Sequence, residues 1–164
     1  EEYTVGILYA DNGRLRTSIA MRRMLEGALS TRQVTKDSKS NKKCVVSTGI
    51  SQGYFDDFLE VRKVGEEIAK TLNSNGPINI QCRKNGSEII PFEINPRFSG
   101  TVVGRSLVNR NEPDIFCRYK LFDEISENMS YKSGYVLRDL KENFYTIDEM
   151  NEIPQAWSKK LFSL

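Results

Sequence analysis

The chain contains no histidine. That absence removes the commonest general base, the base of Ser-His and Cys-His nucleophile pairs, and His-ligated zinc from anything this segment does by itself. Cysteine is scarce: Cys44, Cys82 and Cys117 are far apart, odd in number and set in apolar contexts. A disulfide framework or a Cys-rich metal site therefore does not fit, and reduced, buried thiols in a cytoplasmic protein are expected. No apolar run approaches the roughly 20 residues a membrane span needs, and no signal peptide opens the chain. An excess of one charge is lacking too: 24 Lys and Arg against 22 Asp and Glu leave a net charge of +2. Neither nucleic acid nor a membrane surface is an expected partner. There is no internal repeat and no low-complexity tract.

What is present fits one domain with a sizeable core, 164 residues long. Its first residue is not Met and the chain enters directly in a strand, so a fragment of a longer protein is expected. The stretch Gly76 to Gly100 reads as a β-hairpin. Ile78, Ile80 and Cys82 alternate with Asn79, Gln81 and Arg83; after a turn at Lys84-Asn85-Gly86-Ser87, Ile90, Phe92 and Ile94 alternate with Pro91, Glu93 and Asn95. A one-residue slip would move every side chain to the other face. A three-residue loop, Asn85 to Ser87, pairs Ile80 with Phe92, Cys82 with Ile90 and Gln81 with Pro91, keeping the apolar residues on one side. Pro91 then places this strand near an edge or at a bulge. The opposite face carries Gln81, Glu93 and Asn95 together, an oxygen-donor set of the kind Mg²⁺ prefers. Arg97 continues on that side if the chain stays extended through Pro96, and its guanidinium suits a phosphate or carboxylate. From spacing alone the same face also reads as an ordinary solvated strand.

Elsewhere, Glu2 to Ala10 and Arg14 to Arg22 alternate as two strands joined through Asp11-Asn12-Gly13. A polar stretch after Arg22-Arg23 reads as a mobile loop, followed by a short strand at Cys44 to Ser47. Asp56 to Leu72 is the clearest helix, with Phe58, Val61, Val64, Ile68 and Leu72 along one stripe. Ser99-Gly100-Thr101 opens a second helix through Val108, whose first amides would face anions. Asn111-Glu112-Pro113 opens a third, with Ile115, Phe116, Tyr119 and Phe122 on its apolar side. Tyr135 to Leu137 and Phe144 to Ile147 suggest late strands, and 148–164 a closing segment.

The string Glu93-Ile94-Asn95-Pro96-Arg97-Phe98-Ser99-Gly100, preceded by Gly76-Pro77-Ile78-Asn79-Ile80-Gln81, resembles the metal-binding hairpin of the ATP-grasp superfamily. It is closest to the carboxylate–amine ligases and the carbamoyl-phosphate synthase large subunit. Glu1 to Val5 resembles that family's hinge strand, with Glu2 at the position of the acid that bonds the ATP ribose. Gly6 departs from the pattern, standing where the family more often has an acidic residue. The resemblance implies that Gln81, Glu93 and Asn95 hold Mg²⁺ (or Mn²⁺) bridging the ATP phosphates, and that Arg97 acts on the transferred phosphoryl group or acyl phosphate. It makes Arg22 and Arg23 candidates for phosphate contact, with Lys36 a weaker one.

The resulting expectation is an α+β domain, a mainly antiparallel sheet with helices packed on one face. It corresponds to the C-terminal half of an ATP-grasp domain over residues 1–164, with the motifs in 1–122 and an extension at 123–164 to which the resemblance assigns no role. The implied reaction activates a carboxylate as acyl phosphate for attack by an amine. The small-molecule acid and amine, ATP and a missing N-terminal ATP-grasp subdomain are then the partners, and a homodimer is compatible. Without that other jaw the isolated chain is expected to fold but not to turn over ATP. Two other readings stay open: a non-catalytic nucleotide-binding or partner-interaction module on the same fold, and a plain interaction surface in an unrelated protein.

Overall fold

The computed structural model describes residues 1–10, 13–25, 31–35, 43–47, 50–125 and 130–138, with 31–35 and 43–47 described by their backbone. The central element is strand β1, Glu2–Ala10, buried at every residue. It pairs on one side with β2 (Arg14–Arg23) and on the other with β6 (Gly76–Asn85), both antiparallel. With β5 (Gly53–Phe55), β7 (Glu88–Asn95) and β8 (Gly134–Val136) they form a six-stranded sheet of order β7-β6-β1-β2-β5-β8, every pair antiparallel. The α+β class and antiparallel sheet expected from the sequence are both present.

Because β1 is central and buried on both sides, both faces of the sheet need a cover, and the helices are divided between them. Helix α1, Leu59–Thr71, packs on the odd-numbered face, where Tyr3, Val5, Ile7 and Tyr9 meet Ala20, Ile78, Ile80 and Cys82. Helices α2 (Val102–Leu107) and α3 (Glu112–Phe122) lie against the other face, where Ile19, Met21, Phe55 and Val108 form a second, smaller core.

The α1 stripe differs from its sequence pattern. Val61, Gly65 and Ala69 are its buried residues, Phe58 and Ile68 are partly buried, and Leu72 is exposed. Small residues win the central positions because the helix lies close to β1: a Cβ on Gly65 would stand 3.1 Å from both Ile7 Cδ1 and Val5 Cγ1. The helix begins at Leu59 rather than Asp56, because the Asp56 carboxylate is engaged elsewhere. It accepts from Tyr54 OH, Ser133 Oγ and the Asp57 amide. These bonds hold it below the usual carboxylate range, that from Ser133 contributing most. They also fasten the segment that carries β8 to the end of β5. Helix α3 forms where expected, with Asn111 capping it through the Asp114 amide at 3.2 Å. Its apolar side is only partly covered, however: Ile115, Phe116 and Tyr119 are half-buried, Leu121 and Phe122 are exposed, and Glu112 is its one buried residue.

The β6–β7 hairpin corrects the expected register. The loop is Gly86-Ser87, two residues, with Asn85 opposite Glu88, Arg83 opposite Ile90 and Cys82 opposite Pro91. A bulge follows at once, and beyond it Gln81 faces Glu93, Ile80 faces Ile94 and Asn79 faces Asn95. Phe92 is the extra residue. The two-residue loop shifts the pairing by one, and the bulge beside Pro91 shifts it by one again, because proline has no amide to give the ladder. Ile90, Phe92 and Ile94 are about half exposed instead of core, and Ile89 is the β7 residue that packs against the core. The placement of Pro91 at a bulge on an edge strand is as expected.

Part of the stretch read as a loop after Arg23 is instead a separate antiparallel hairpin, β3 (Thr31–Thr35) with β4 (Lys43–Ser47). Lys36, Asp11, Asn12 and the features suggested at 144–164 lie outside the described residues. Gly13 closes the β1–β2 hairpin with φ +65°, a left-handed conformation that glycine adopts freely.

The close approach of α1 predicts that Gly65→Val, which overfills the contact with Val5 and Ile7, destabilises the chain by about 1–3 kcal/mol. Urea unfolding measures it; a change within roughly 0.5 kcal/mol would mean that the helix can move off the sheet without cost.

Candidate functional site

Along its even-numbered face the sheet grades from apolar to polar. Ile19, Met21, Phe55 and Val108 fill one end. At the other, Glu2 and Thr4 of β1, Arg23 of β2, and Asn79, Gln81 and Arg83 of β6 line a cavity of about 670 Å³. Phe92, Glu93, Arg97 and the turn Ser99-Gly100-Thr101, with Leu25 and Ser51, complete the wall. Antiparallel pairing brings these residues together: Thr4 stands opposite Gln81, Glu2 opposite Arg83, and Gln81 opposite Glu93.

Three guanidinium groups, Arg23, Arg83 and Arg97, face two carboxylates, Glu2 and Glu93, around this space. Glu2 and Arg23 form a buried ion pair, with 9% and 4% of their side chains exposed. The other Glu2 oxygen accepts from Arg83 Nη2 at 3.2 Å. Arg23 Nη1 also donates to Gln81 Oε1 at 3.1 Å. Arg23 thus bridges the strand that carries Glu2 to the strand that carries Gln81.

Glu93 is exposed and accepts from Asn95 Nδ2 at 2.7 Å. Asn95 gives its amide nitrogen to this bond, so its own oxygen is not used in it. Asn95 is not part of the cavity wall itself. Arg97 reaches the cavity although the backbone does not stay extended: its amide donates to Asn95 O at 2.8 Å in a tight turn over Pro96. Its Nη1 donates to Phe98 O at 2.9 Å. Phe98 in turn stacks edge-on with Phe116 of α3, ring centroids 6.2 Å apart, which fixes the segment after β7 to the rest of the fold.

Of the candidates read from sequence, Glu2, Arg23, Gln81, Glu93 and Arg97 share one cavity, with Asn95 bonded to Glu93. Arg22 does not join them. It lies on the other face of the sheet, bonded to Glu1 Oε1 at 2.9 Å and stacked over Tyr54. The expectation that the first amides of α2 would face anions is not met. The Thr101 amide donates to Ser99 Oγ and the Val102 amide to Ser99 O, so both are consumed inside the turn.

Sequence reasoning missed Arg83, Phe92, Thr4 and Asn79. Arg83 and Asn79 are two residues either side of Gln81, and period-two spacing alone places them on its face. Phe92 comes to that side only through the bulge, where it lies under the Arg83 guanidinium, 5.7 Å from Cζ to the ring centroid.

The donor chemistry can be tested against a metal ion. Gln81, Glu93 and Asn95 offer only oxygen, with one carboxylate among them, and among the described residues no group of three or more acidic, Cys or His side chains gathers anywhere. A single carboxylate with amide oxygens suits a hard cation that brings phosphate oxygens of its own, and does not suit a metal held by protein alone. The residues fit a metal–nucleotide in that sense.

Compared with protein families, residues 1–143 match the family described as ATP-grasp in the biosynthetic pathway with Ter operon. A comparison with curated proteins gave no match.

The burial of the Glu2–Arg23 pair predicts an asymmetry between two arginines on one carboxylate. Arg23→Met leaves the buried Glu2 carboxylate with only the exposed Arg83 as partner and should destabilise by about 3–5 kcal/mol. Arg83→Met removes a partner that is 66% exposed and should cost no more than about 1 kcal/mol. Chemical denaturation of both variants checks this, and equal effects would contradict the burial argument.

Proposed function

Because the chain belongs to the ATP-grasp family, whose domains are of the ATP-dependent ligase type, we propose that it carries the metal and phosphoryl side of a carboxylate–amine ligase site. In the reaction, an oxygen of the acid attacks the γ-phosphorus of ATP, ADP leaves, and an acyl phosphate forms. The amine then attacks the acyl carbon, inorganic phosphate leaves, and an amide remains. No histidine is required, since positioning and charge stabilisation supply most of the rate in phosphoryl transfer.

The observation that carries this reading is the direct cross-strand pair of Gln81 and Glu93 on the cavity wall, with Arg97 on the same wall. A Mg²⁺ or Mn²⁺ ion bound there would join phosphate oxygens to the protein and offset charge on the transferring group. Glu93 supplies the negative charge for it, Asn95 orients Glu93 and offers its amide oxygen, and Gln81 offers the lone pair that Arg23 leaves open. Arg97 provides a guanidinium for the transferred phosphoryl or the acyl phosphate.

The cofactor-binding role of Glu2 is indirect in this reading. Both its oxygens are taken by arginines, so it holds Arg23 and Arg83 at the cavity, where they can meet phosphate oxygens. Arg22, on the opposite face, takes no part. The remainder of the nucleotide pocket, and the acid and amine, would be met by an N-terminal subdomain closing over this face.

Glu93→Gln in the full-length protein tests the reading. Magnesium-dependent ADP formation should fall on the order of 10²-fold or more, because charge on the phosphoryl group goes uncompensated. The thermal midpoint should hold, since an exposed strand residue contributes within about 0.5 kcal/mol. Near-normal turnover with an unchanged midpoint would instead make Glu93 an ordinary solvated strand residue, and loss of both would make it structural.

A further inference from the structure

Asn79 lies on β6, two residues before Gln81 and on the same face. It lines the cavity yet is only 4% exposed. Its side-chain oxygen accepts two hydrogen bonds, from Arg105 Nη2 at 2.9 Å and from Thr4 Oγ1 at 2.9 Å. A guanidinium has donors and no acceptor, so the atom facing Arg105 must be the amide oxygen, and the orientation of the side chain follows. The NH₂ group is turned the other way. No acceptor meets it among the described residues.

The group that fixes this orientation is itself immobile. Arg105 Nη1 donates to Glu112 Oε2 at 2.8 Å, and the two side chains are 1% and 2% exposed. They occupy space that exists only because residue 6 is glycine: a Cβ there would sit 1.8 Å from Arg105 Nη1 and 2.2 Å from Glu112 Oε1. A buried pair of charges is thus spent on holding one neutral amide with its donor end toward the cavity.

Resting on the ligase reading above, we propose that Asn79 is a ligand-binding residue whose NH₂ donates to an anionic oxygen, phosphoryl or carboxylate, of the ligand held beside Arg97. Arg105 and Glu112 act through it as positioning residues. Asn79 stands about 7 Å along the strand from Gln81, two residues at the usual rise. It stands opposite Asn95, one cross-strand pair on from Gln81 and Glu93 on that face, and lines the same cavity as Ser99 and Thr101. A neutral donor there satisfies an oxygen that already shares the Arg97 charge, without adding a further cation that would oppose the metal. The acid whose oxygen is phosphorylated, and the phosphoryl group it receives, both present such an oxygen.

The test is a titration of the ¹⁵N-labelled chain followed through the Asn79 side-chain amide resonances, assigned from its backbone. Inorganic phosphate is the probe in one arm and acetate in the other, with ionic strength held by chloride. We expect both Asn79 N–H resonances to move and saturate in at least one arm, and Arg97→Met, an exposed substitution, to weaken that response several-fold. The arm that responds identifies the oxygen as phosphoryl or carboxylate. Asn79 resonances that stay fixed in both arms would overturn the proposal, whether or not the Gln81 amide or the Arg97 guanidinium moves. The outcome is separable from the ligase reading through Glu93→Gln, which should keep the Asn79 response. If that variant retained full ADP formation while Asn79 still responded, the metal reading alone would fall.

Discussion

The pairing of Arg105 with Glu112 over Gly6 holds the second layer of this fold to its sheet. Helix α3 fully buries only Glu112; Ile115, Phe116 and Tyr119 are partly buried, and Leu121 and Phe122 are exposed. Its docking thus combines partial apolar contacts, such as Phe116 against Phe98, with one fully buried carboxylate. Two charges taken out of water are costly, and the cost is offset here by their contact with each other and by hydrogen bonds from Arg105 to Asn79 and Thr4. Removing either partner would leave the other uncompensated. The pair joins α2, α3, β1 and β6 at one point, and that point forms the floor beside the cavity.

From this anchor the cavity follows. The even-numbered face of the sheet is covered by α2 and Val108 at its apolar end, and the chain leaves β7 through Ser99-Gly100-Thr101 before α2 begins. The polar end is left open, and it contains what a phosphate-bearing ligand with its metal requires: oxygen donors on one strand pair and guanidinium groups on three elements. The bulge at Phe92 adds an aromatic face under Arg83 and allows Glu93 to stand directly across from Gln81. In an unbulged hairpin with the same two-residue loop, Gln81 would have faced Phe92, and the oxygen donors would have been split between faces.

Much of this was legible from the sequence. Strict alternation gave β1 its observed limits and β2 to within one residue, because a strand buried on one or both faces leaves a period-two record. The Gln81, Glu93 and Asn95 grouping was legible for the same reason, whereas Arg97 reaches the cavity through a turn and not by continued alternation. The hairpin register was not. Two shifts of one residue, in the loop and at the bulge, add to two beyond Phe92, which restores the face but not the partner, and neither leaves a hydrophobic signature. The α1 stripe was misread because glycine and alanine at the closest contact carry little hydrophobic weight. Which of Arg22 and Arg23 faces the cavity depends on pairing with β1, where Arg22 stands opposite Tyr3, and adjacent identical residues give no local cue. The role of Gly6 was invisible for a different reason: the side chains it accommodates come from residues 105 and 112, about a hundred positions away.

The central claim is that the Gln81–Glu93 pair, with Asn95, is where a divalent cation meets the nucleotide phosphates. The most direct measurement is a crystal structure of the full-length protein with Mn²⁺ and a non-hydrolysable ATP analogue, using the anomalous signal of manganese to locate the ion. The account predicts a peak about 2.0–2.3 Å from a Glu93 carboxylate oxygen, bridged to analogue phosphates, with Arg97 beside the terminal phosphate. A manganese peak bound elsewhere, with the analogue in place and the Glu93 carboxylate still held only by Asn95, would contradict it.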